Sequence, residues 1–212
     1  MSTPGCSSSL WLVRHGQSAW NVAGRIQGQS ARAGSLTPAG RDQAGVAARQ
    51  LADLTPGARA VVASDLARTA ETAAIIAGRL GLPLEFDRRL REQDLGRLEG
   101  TRSVAGDGPP ASTGDVIDQF WDDPYLRPPG GETVAELYQR VHSALSWLAD
   151  DQPGADLIVV THGGPVRVAT ADHLPAPGLP LPRAAVGNAS ITLWPGLAST
   201  GMAGPHTEMV AP

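Results

Sequence analysis

The chain of 212 residues carries a formal net charge of -4, and all 17 of its basic residues are arginine. That balance argues against nucleic acid or an anionic membrane as a partner, since both select basic surfaces, and the lack of lysine excludes a Schiff-base or P-loop lysine. The single cysteine, Cys6, excludes an internal disulfide and a cysteine-built zinc site.

A reducing, cytoplasmic setting is expected. No segment approaches the roughly 18 apolar residues of a membrane span, and residues 1–9 lack the charged and apolar regions of a secretory signal. The length suits one domain over residues 1–212, with residues 1–9 a flexible Ser- and Gly-rich tail.

Leu10-Trp11-Leu12-Val13 followed by Arg14-His15-Gly16 predicts a buried strand ending at a turn, with polar side chains delivered at its C-terminal end. In an open α/β sheet that edge is where ligands bind. Arg14 offers a fork of donors suited to phosphate or carboxylate, and His15 is a candidate nucleophile, base or ligand. The tripeptide alone would equally suit a strand end with two surface polars.

Trp20 to Ser35 shows no sustained period and predicts a loop. Thr37-Pro38 opens a helix with Leu36, Ala44, Val46, Ala47, Ala48 and Leu51 on its apolar side, broken from Leu54 to Gly57. Ala60–Ala63 is a second strand, running into a helix capped at Ser64 that places Arg68 in its first turns. Leu82–Phe86 is a third strand, and Leu90 to Gly100 is too densely charged for a core.

Residues 101–131 form a long excursion with Phe120, Trp121 and Tyr125, expected to be a lid that packs on something. Thr133–Ala149 has Val134, Leu137, Val141, Leu145 and Leu148 at helical spacing, and its His142 suits solvent or a helix neighbour. Leu157–Val160 is the candidate sheet centre, leading to Thr161-His162-Gly163-Gly164-Pro165 and a helix from Val166 to about His173. His173 would meet that helix's carbonyl end. Ala189–Trp194 is a further strand, Thr207–Val210 a potential edge strand, and His206 is given no role.

The alternation predicts an α/β fold, a three-layer α/β/α sandwich with a mostly parallel central sheet and a lid-like insertion. Two strand ends carry His and Gly, another carries Arg68, and a charged loop carries Glu92, so four polar groups can meet in one crevice.

At this point the chain resembles the histidine phosphatase superfamily, the phosphoglycerate mutase-like branch 1. The matching pieces are Leu12-Val13-Arg14-His15-Gly16-Gln17-Ser18 with Asn21; Ser64-Asp65-Leu66 with Arg68-Thr69, Glu71 and Thr72; and Leu90-Arg91-Glu92 with Leu95-Gly96 and Glu99-Gly100. They continue through Gly130-Gly131-Glu132-Thr133 to Val160-Thr161-His162-Gly163-Gly164 and Gly187-Asn188-Ala189-Ser190. They occur in the family's order over nearly the whole chain.

The resemblance implies a phosphatase acting on a small-molecule phosphate monoester without metal or cofactor. His15 would be the nucleophile, Glu92 the proton donor, and His162 a third catalytic group. Arg14, Asn21, Arg68 and Gly163 would hold the phosphate. A neutral imidazole suits attack on a dianion that would repel an anionic nucleophile. Gly16 and Gly163 would let backbone approach the phosphate; Glu71 and Glu99 read as structural hydrogen-bonding or helix-pairing groups.

Gln27, Gly28, Trp121 and Tyr125 are candidate substrate contacts, the first two in doubt because Ser30–Ser35 is inserted beside them. The excursion sets Arg102 and Arg127 against Asp107, Asp115, Asp118, Asp122 and Asp123, unlike the arginine-rich insertion of the mutases. Hydrolysis is therefore expected over mutase-type transfer, and the presence of His15, Glu92 and His162 sets it above non-catalytic phosphate recognition. With Val116 and Ile117, its aromatics suggest a bulky, modestly apolar alcohol. A homodimer is left open.

Overall fold

The computed structural model describes residues 8–102, 116–182 and 184–194, and the backbone of 209–210. Its strands are β1 (Leu10–Arg14), β2 (Ala58–Ala63), β3 (Leu84–Phe86), β4 (Asp156–Thr161), β5 (Ile191–Trp194) and β6 (Met209–Val210). Its helices are α1 (Ala19–Val22), α2 (Pro38–Leu54), α3 (Ala67–Leu80), α4 (Asp118–Asp122), α5 (Val134–Asp151) and α6 (Gly163–Ala169).

The strands form one sheet in the order β3-β2-β4-β1-β5-β6. The first four are parallel, and β5 and β6 close one edge antiparallel.

Period-two alternation builds the three layers. Leu10, Leu12, Leu157 and Val159 face one side and pack with Leu137, Val141 and Leu145 of α5 and Val166 of α6. Val13, Val61, Ile158 and Val160 face the other and pack with Ala47 and Leu51 of α2 and Ala73 and Ile76 of α3. β4 is apolar on both faces because both are covered, as its unbroken hydrophobic run implies.

Local chemistry sets the helix ends. The Thr37 hydroxyl accepts from the Gly40 amide, and Thr133 and Glu136 form a capping box that starts α5. His142 is buried on α5, its Nε2 2.9 Å from the Val168 carbonyl, so its neighbour is α6.

Several expectations need correction. The stretch expected as a loop holds α1, nucleated by a capping box between Ser18 and Asn21 too short to show a period, and a turn of 3-10 helix at Ala31–Ala33. The third helix starts at Ala67 after an uncapped Leu66, because the Ser64 hydroxyl is engaged elsewhere. α6 starts earlier than expected, with Pro165 inside its first turn, and ends at Ala169; Thr170 turns its hydroxyl back on the Val166 and Arg167 carbonyls. His173 is therefore exposed beyond the helix and meets no helix end.

Ser8 and Ser9 do not belong to a loose tail: the Ser8 hydroxyl donates to the Gln152 carbonyl at 2.7 Å, and Leu157 N donates to the Ser9 carbonyl. The excursion is also more integrated than a lid. Phe120 and Trp121 are buried in the α5 core, and the Trp121 carbonyl accepts from Leu181 N. Residues 103–115, with Asp107 and Asp115, lie outside the described residues, as do Cys6, His206 and Thr207. Among the described residues no helix is long and apolar enough to cross a membrane.

Candidate active site

Sheet adjacency brings the two histidines together. β1 and β4 are parallel neighbours with Arg14 opposite Thr161, so the residue after each strand is a histidine at the same level. The His15 amide donates to the Thr161 carbonyl at 2.9 Å, and the rings of His15 and His162 meet edge to face with centroids 5.2 Å apart. β2 lies on the other side of β4, and its exit places Ser64 beside His162 and Arg68 beside His15.

Hydrogen bonds fix both tautomers. His15 Nδ1 lies 2.7 Å from the Gly16 carbonyl, which can only accept, so Nδ1 carries the hydrogen and Nε2 keeps its lone pair. The Arg68 Nε–H donates to that lone pair at 3.2 Å. At His162, Nε2 lies 2.9 Å from the Ser64 hydroxyl, whose oxygen already accepts from Leu66 N. Nε2 is the one acceptor that this hydroxyl reaches among the described residues, so the hydroxyl hydrogen goes to Nε2, which leaves His162 Nδ1 as an N–H donor. That donor is buried and has no partner, as is Arg14 Nε. Buried donors normally find partners, so two orphans side by side at one sheet edge are the signature of a site built for an absent acceptor.

The electrostatics point the same way. His15, Arg68 and His162 are 2%, 1% and 0% exposed. Burial, then the neighbouring Arg68 and Arg14 charges, holds the His15 imidazole well below its usual range and hence neutral; burial and Arg68 do the same to His162. Burial pulls Arg68 down to about 10, still protonated at neutral pH. Its Nη2 donates to the Gly28 carbonyl at 2.8 Å, and no carboxylate pairs with it among the described residues.

Above this floor opens a cleft of about 210 Å³ that Arg14, Asn21, Glu92 and Gly163 help to line. The Asn21 oxygen already accepts from Ser18 N, the Ser18 hydroxyl and Asn188 Nδ2, so its amide nitrogen is the group left to donate. The Glu92 carboxylate accepts from Gly164 N at 3.1 Å and from Gln93 N at 2.9 Å. A Cβ at Gly164 would strike that carboxylate and push it from its present position. A Cβ at Gly163 would meet Arg14 Nε only at ordinary contact distance, 3.6 Å. Gly16 has a different task from the expected one: a side chain there would collide with the Gly40 carbonyl at the start of α2.

Gln27 and Gly28 do line the cleft, despite the neighbouring insertion. Gly28 takes a positive φ of 47° and a Cβ there would strike Glu99. Glu99 and Glu71 act as structural acceptors, Glu99 from Gln29 N and Leu95 N, and Glu71 from Leu36 N and Arg41. Trp121 lines the cleft, but Tyr125 does not: its hydroxyl donates to the Pro175 carbonyl and its ring is 42% exposed. The Tyr125 expectation is corrected because α4 packs Phe120 and Trp121 inward and leaves the following turn facing out.

Sequence reasoning missed three contributors. Arg140 of α5 donates to the Arg89, Arg91 and Glu92 carbonyls and so holds the Glu92 loop. Ser64 fixes the His162 tautomer. Arg167 lines the cleft one helical turn beyond Gly163, an i, i+4 spacing that could have revealed it. Among the described residues no group of three or more His, Cys, Asp or Glu converges to hold a metal ion.

Comparison with known proteins agrees with this arrangement. Residues 10–195 match the model of the histidine phosphatase superfamily, branch 1. The chain is 39% identical over 158 residues to the probable phosphoglycerate mutase GpmB of Salmonella paratyphi C, covering 73% of this chain and 69% of that one. Among solved structures it resembles mycobacterial glucosyl-3-phosphoglycerate phosphatase Rv2419c with VO3 at 31% identity and a TM-score of 0.73, covering 88% and 92% of the two chains. It also resembles YhfR of Bacillus stearothermophilus at 30% identity and a TM-score of 0.70, covering 88% and 90%.

Proposed function

The chain belongs to branch 1 of the histidine phosphatase superfamily, and on that premise we propose that it is a metal-independent phosphatase that hydrolyses a small-molecule phosphate monoester through a phosphohistidine. The observation that carries the reading is the pair of orphaned donors, His162 Nδ1 and Arg14 Nε, beside a neutral His15 whose Nε2 holds a lone pair.

In the first step the His15 Nε2 lone pair attacks phosphorus and the ester P–O bond breaks. Its electron pair goes to the alcohol oxygen, which takes the proton of the Glu92 carboxyl. Arg14, Arg68, His162 Nδ1–H and the Asn21 amide take the three non-bridging oxygens, where charge is held during transfer. Before this attack, as phosphate binds, Arg68 Nε–H exchanges its contact with Nε2 for one with a phosphate oxygen, which releases the nucleophile. In the second step water attacks phosphorus, the N–P bond breaks with its pair returning to Nε2, and Glu92 takes the water's proton.

The curated relatives named as mutases give the second reading, phosphoryl transfer within a phosphoglycerate. The two arginines of residues 101–131 favour hydrolysis, because neither is placed to hold a second phosphate. Arg127 is spent on Glu136 and the Gly131 carbonyl at the start of α5, and Arg102 is exposed on the bridge to Arg25.

The test is a panel of phosphomonoesters with the intact protein and with His15→Ala, in the presence of strong chelator. The expected result is inorganic phosphate from the intact protein and none above background from the variant. Isomerised phosphoglycerate without phosphate release would establish the mutase reading instead, and loss of activity with chelator would overturn metal independence.

A further inference from the structure

The floor accounts for one phosphate, yet the cleft wall holds more positive charge than a phosphate uses. Arg167 and Arg25 line the same cleft as Glu92, which among the described residues is the sole carboxylate lining it. Arg167 is half-buried, and its Nε donates to the Ala184 carbonyl at 3.2 Å. No carboxylate pairs with it among the described residues.

Its guanidinium carbon lies 5.5 Å from the centre of the Trp121 ring, which holds the fork in place. Trp121 is 2% exposed, lines the cleft, and its indole N–H has no partner. At the cleft it joins Arg14 Nε and His162 Nδ1 as an orphaned buried donor, and neither chemical step uses it. Burial lowers the Arg14 guanidinium's proton affinity, Glu92 raises it, and the Arg167 charge lowers it further, so the two cations act within one cavity.

We propose that Arg167 and the Trp121 indole N–H form a second anion subsite, which binds a carboxylate carried on the alcohol portion of the phosphate ester. This rests on the phosphatase reading for the location of the ester. It reverses the apolar alcohol that the composition of residues 101–131 suggests: Phe120 is core, Tyr125 faces away, and Trp121 reaches the cleft beneath an arginine. A guanidinium fork matches a planar carboxylate with two parallel donors. Taking up an anion also relieves the repulsion between Arg167 and Arg14.

The experiment compares 3-phosphoglycerate with glycerol 3-phosphate, which share a skeleton and differ in the carboxylate, with p-nitrophenyl phosphate as the reference for phosphatase activity. The intact protein should favour 3-phosphoglycerate by about tenfold or more in kcat/KM, the scale of one charge-assisted hydrogen bond. In Arg167→Gln that ratio should fall towards unity, and in Arg167→Lys it should fall part of the way.

Titration of both esters into His15→Ala protein measures the same preference as a ratio of Kd values without turnover. Hydrolysis of p-nitrophenyl phosphate with no carboxylate preference, or with a preference that Arg167→Gln leaves intact, overturns the subsite and spares the phosphatase reading. If no ester is hydrolysed, the phosphatase reading falls, and the titration alone decides: a carboxylate preference lost in the His15→Ala, Arg167→Gln double variant supports the subsite, and equal affinities overturn it.

Discussion

The floor and the wall of the cleft are built by different means. His15 and His162 follow two adjacent parallel strands and Arg68 opens the helix after a third; all are at most 2% exposed, each held by a backbone carbonyl or a buried hydroxyl. Arg25, Gln27 and Ile117 on the wall come from irregular segments and are exposed or half-buried. The difference teaches that chemistry sits where the sheet over-determines side-chain position, while these irregular parts of the wall can vary without disturbing it.

The comparison breaks most visibly at Arg68. Arg68→Gln keeps a planar amide but removes the floor's buried cation; turnover should fall by about 10² to 10³, the scale of losing one preorganised donor at a developing charge. Gln27→Ala on the wall should cost far less, and steady-state rates of both variants on one ester measure the contrast. Equal losses would erase the distinction between floor and wall.

A smaller effect concerns stability. The floor buries a guanidinium without a carboxylate and leaves two donors unpaired, so an anion should stabilise it more than a neutral ligand of the same size. Inorganic phosphate at a hundredfold its Kd should add about 2.7 kcal/mol, read as a raised unfolding midpoint that Arg68→Gln loses. No shift at saturating phosphate would mean that the orphaned donors do not face a common acceptor.

The smallest effect per unit change is on pH dependence. His15 and His162 are held well below the ordinary histidine value of 6.5, with burial the main cause for each. As pH falls through that value, the unfolded chain binds protons that the native floor refuses. The stability is therefore fully present above the unfolded value and is lost as pH falls below it, at up to about 1.4 kcal/mol per pH unit for each histidine. His142, lowered by burial on α5, adds in the same direction. Urea unfolding at pH 7 and pH 5.5 should show the decline, and His15→Asn should make it shallower.

Much of this was legible in the sequence wherever function is attached to a regular element. The apolar runs of β1 and β4 ending in Arg14-His15-Gly16 and Thr161-His162-Gly163 announce two strand ends, and Arg68 follows a third. Parallel neighbours then bring those ends together without further information.

What stayed hidden depends on contacts between segments distant in the chain. Ser64 looked like a helix cap because cap and catalytic support use the same hydroxyl; its partner His162 lies 98 residues away. Arg140 reads as one more charge on an amphipathic helix until α5 is packed against the Glu92 loop. Trp121 and Tyr125 lie four residues apart in one aromatic-bearing segment, yet one is buried under Arg167 and the other faces the Pro175 carbonyl, a choice made by packing that composition does not carry.

The most direct test of the central claim is to quench the protein during turnover without acid and locate phosphate on the chain by peptide mapping. The account predicts acid-labile, base-stable phosphate on the peptide containing His15, discharged by water when substrate is withdrawn and absent from His15→Ala. Sustained turnover with no phosphate on His15, or with phosphate on another residue, would contradict it.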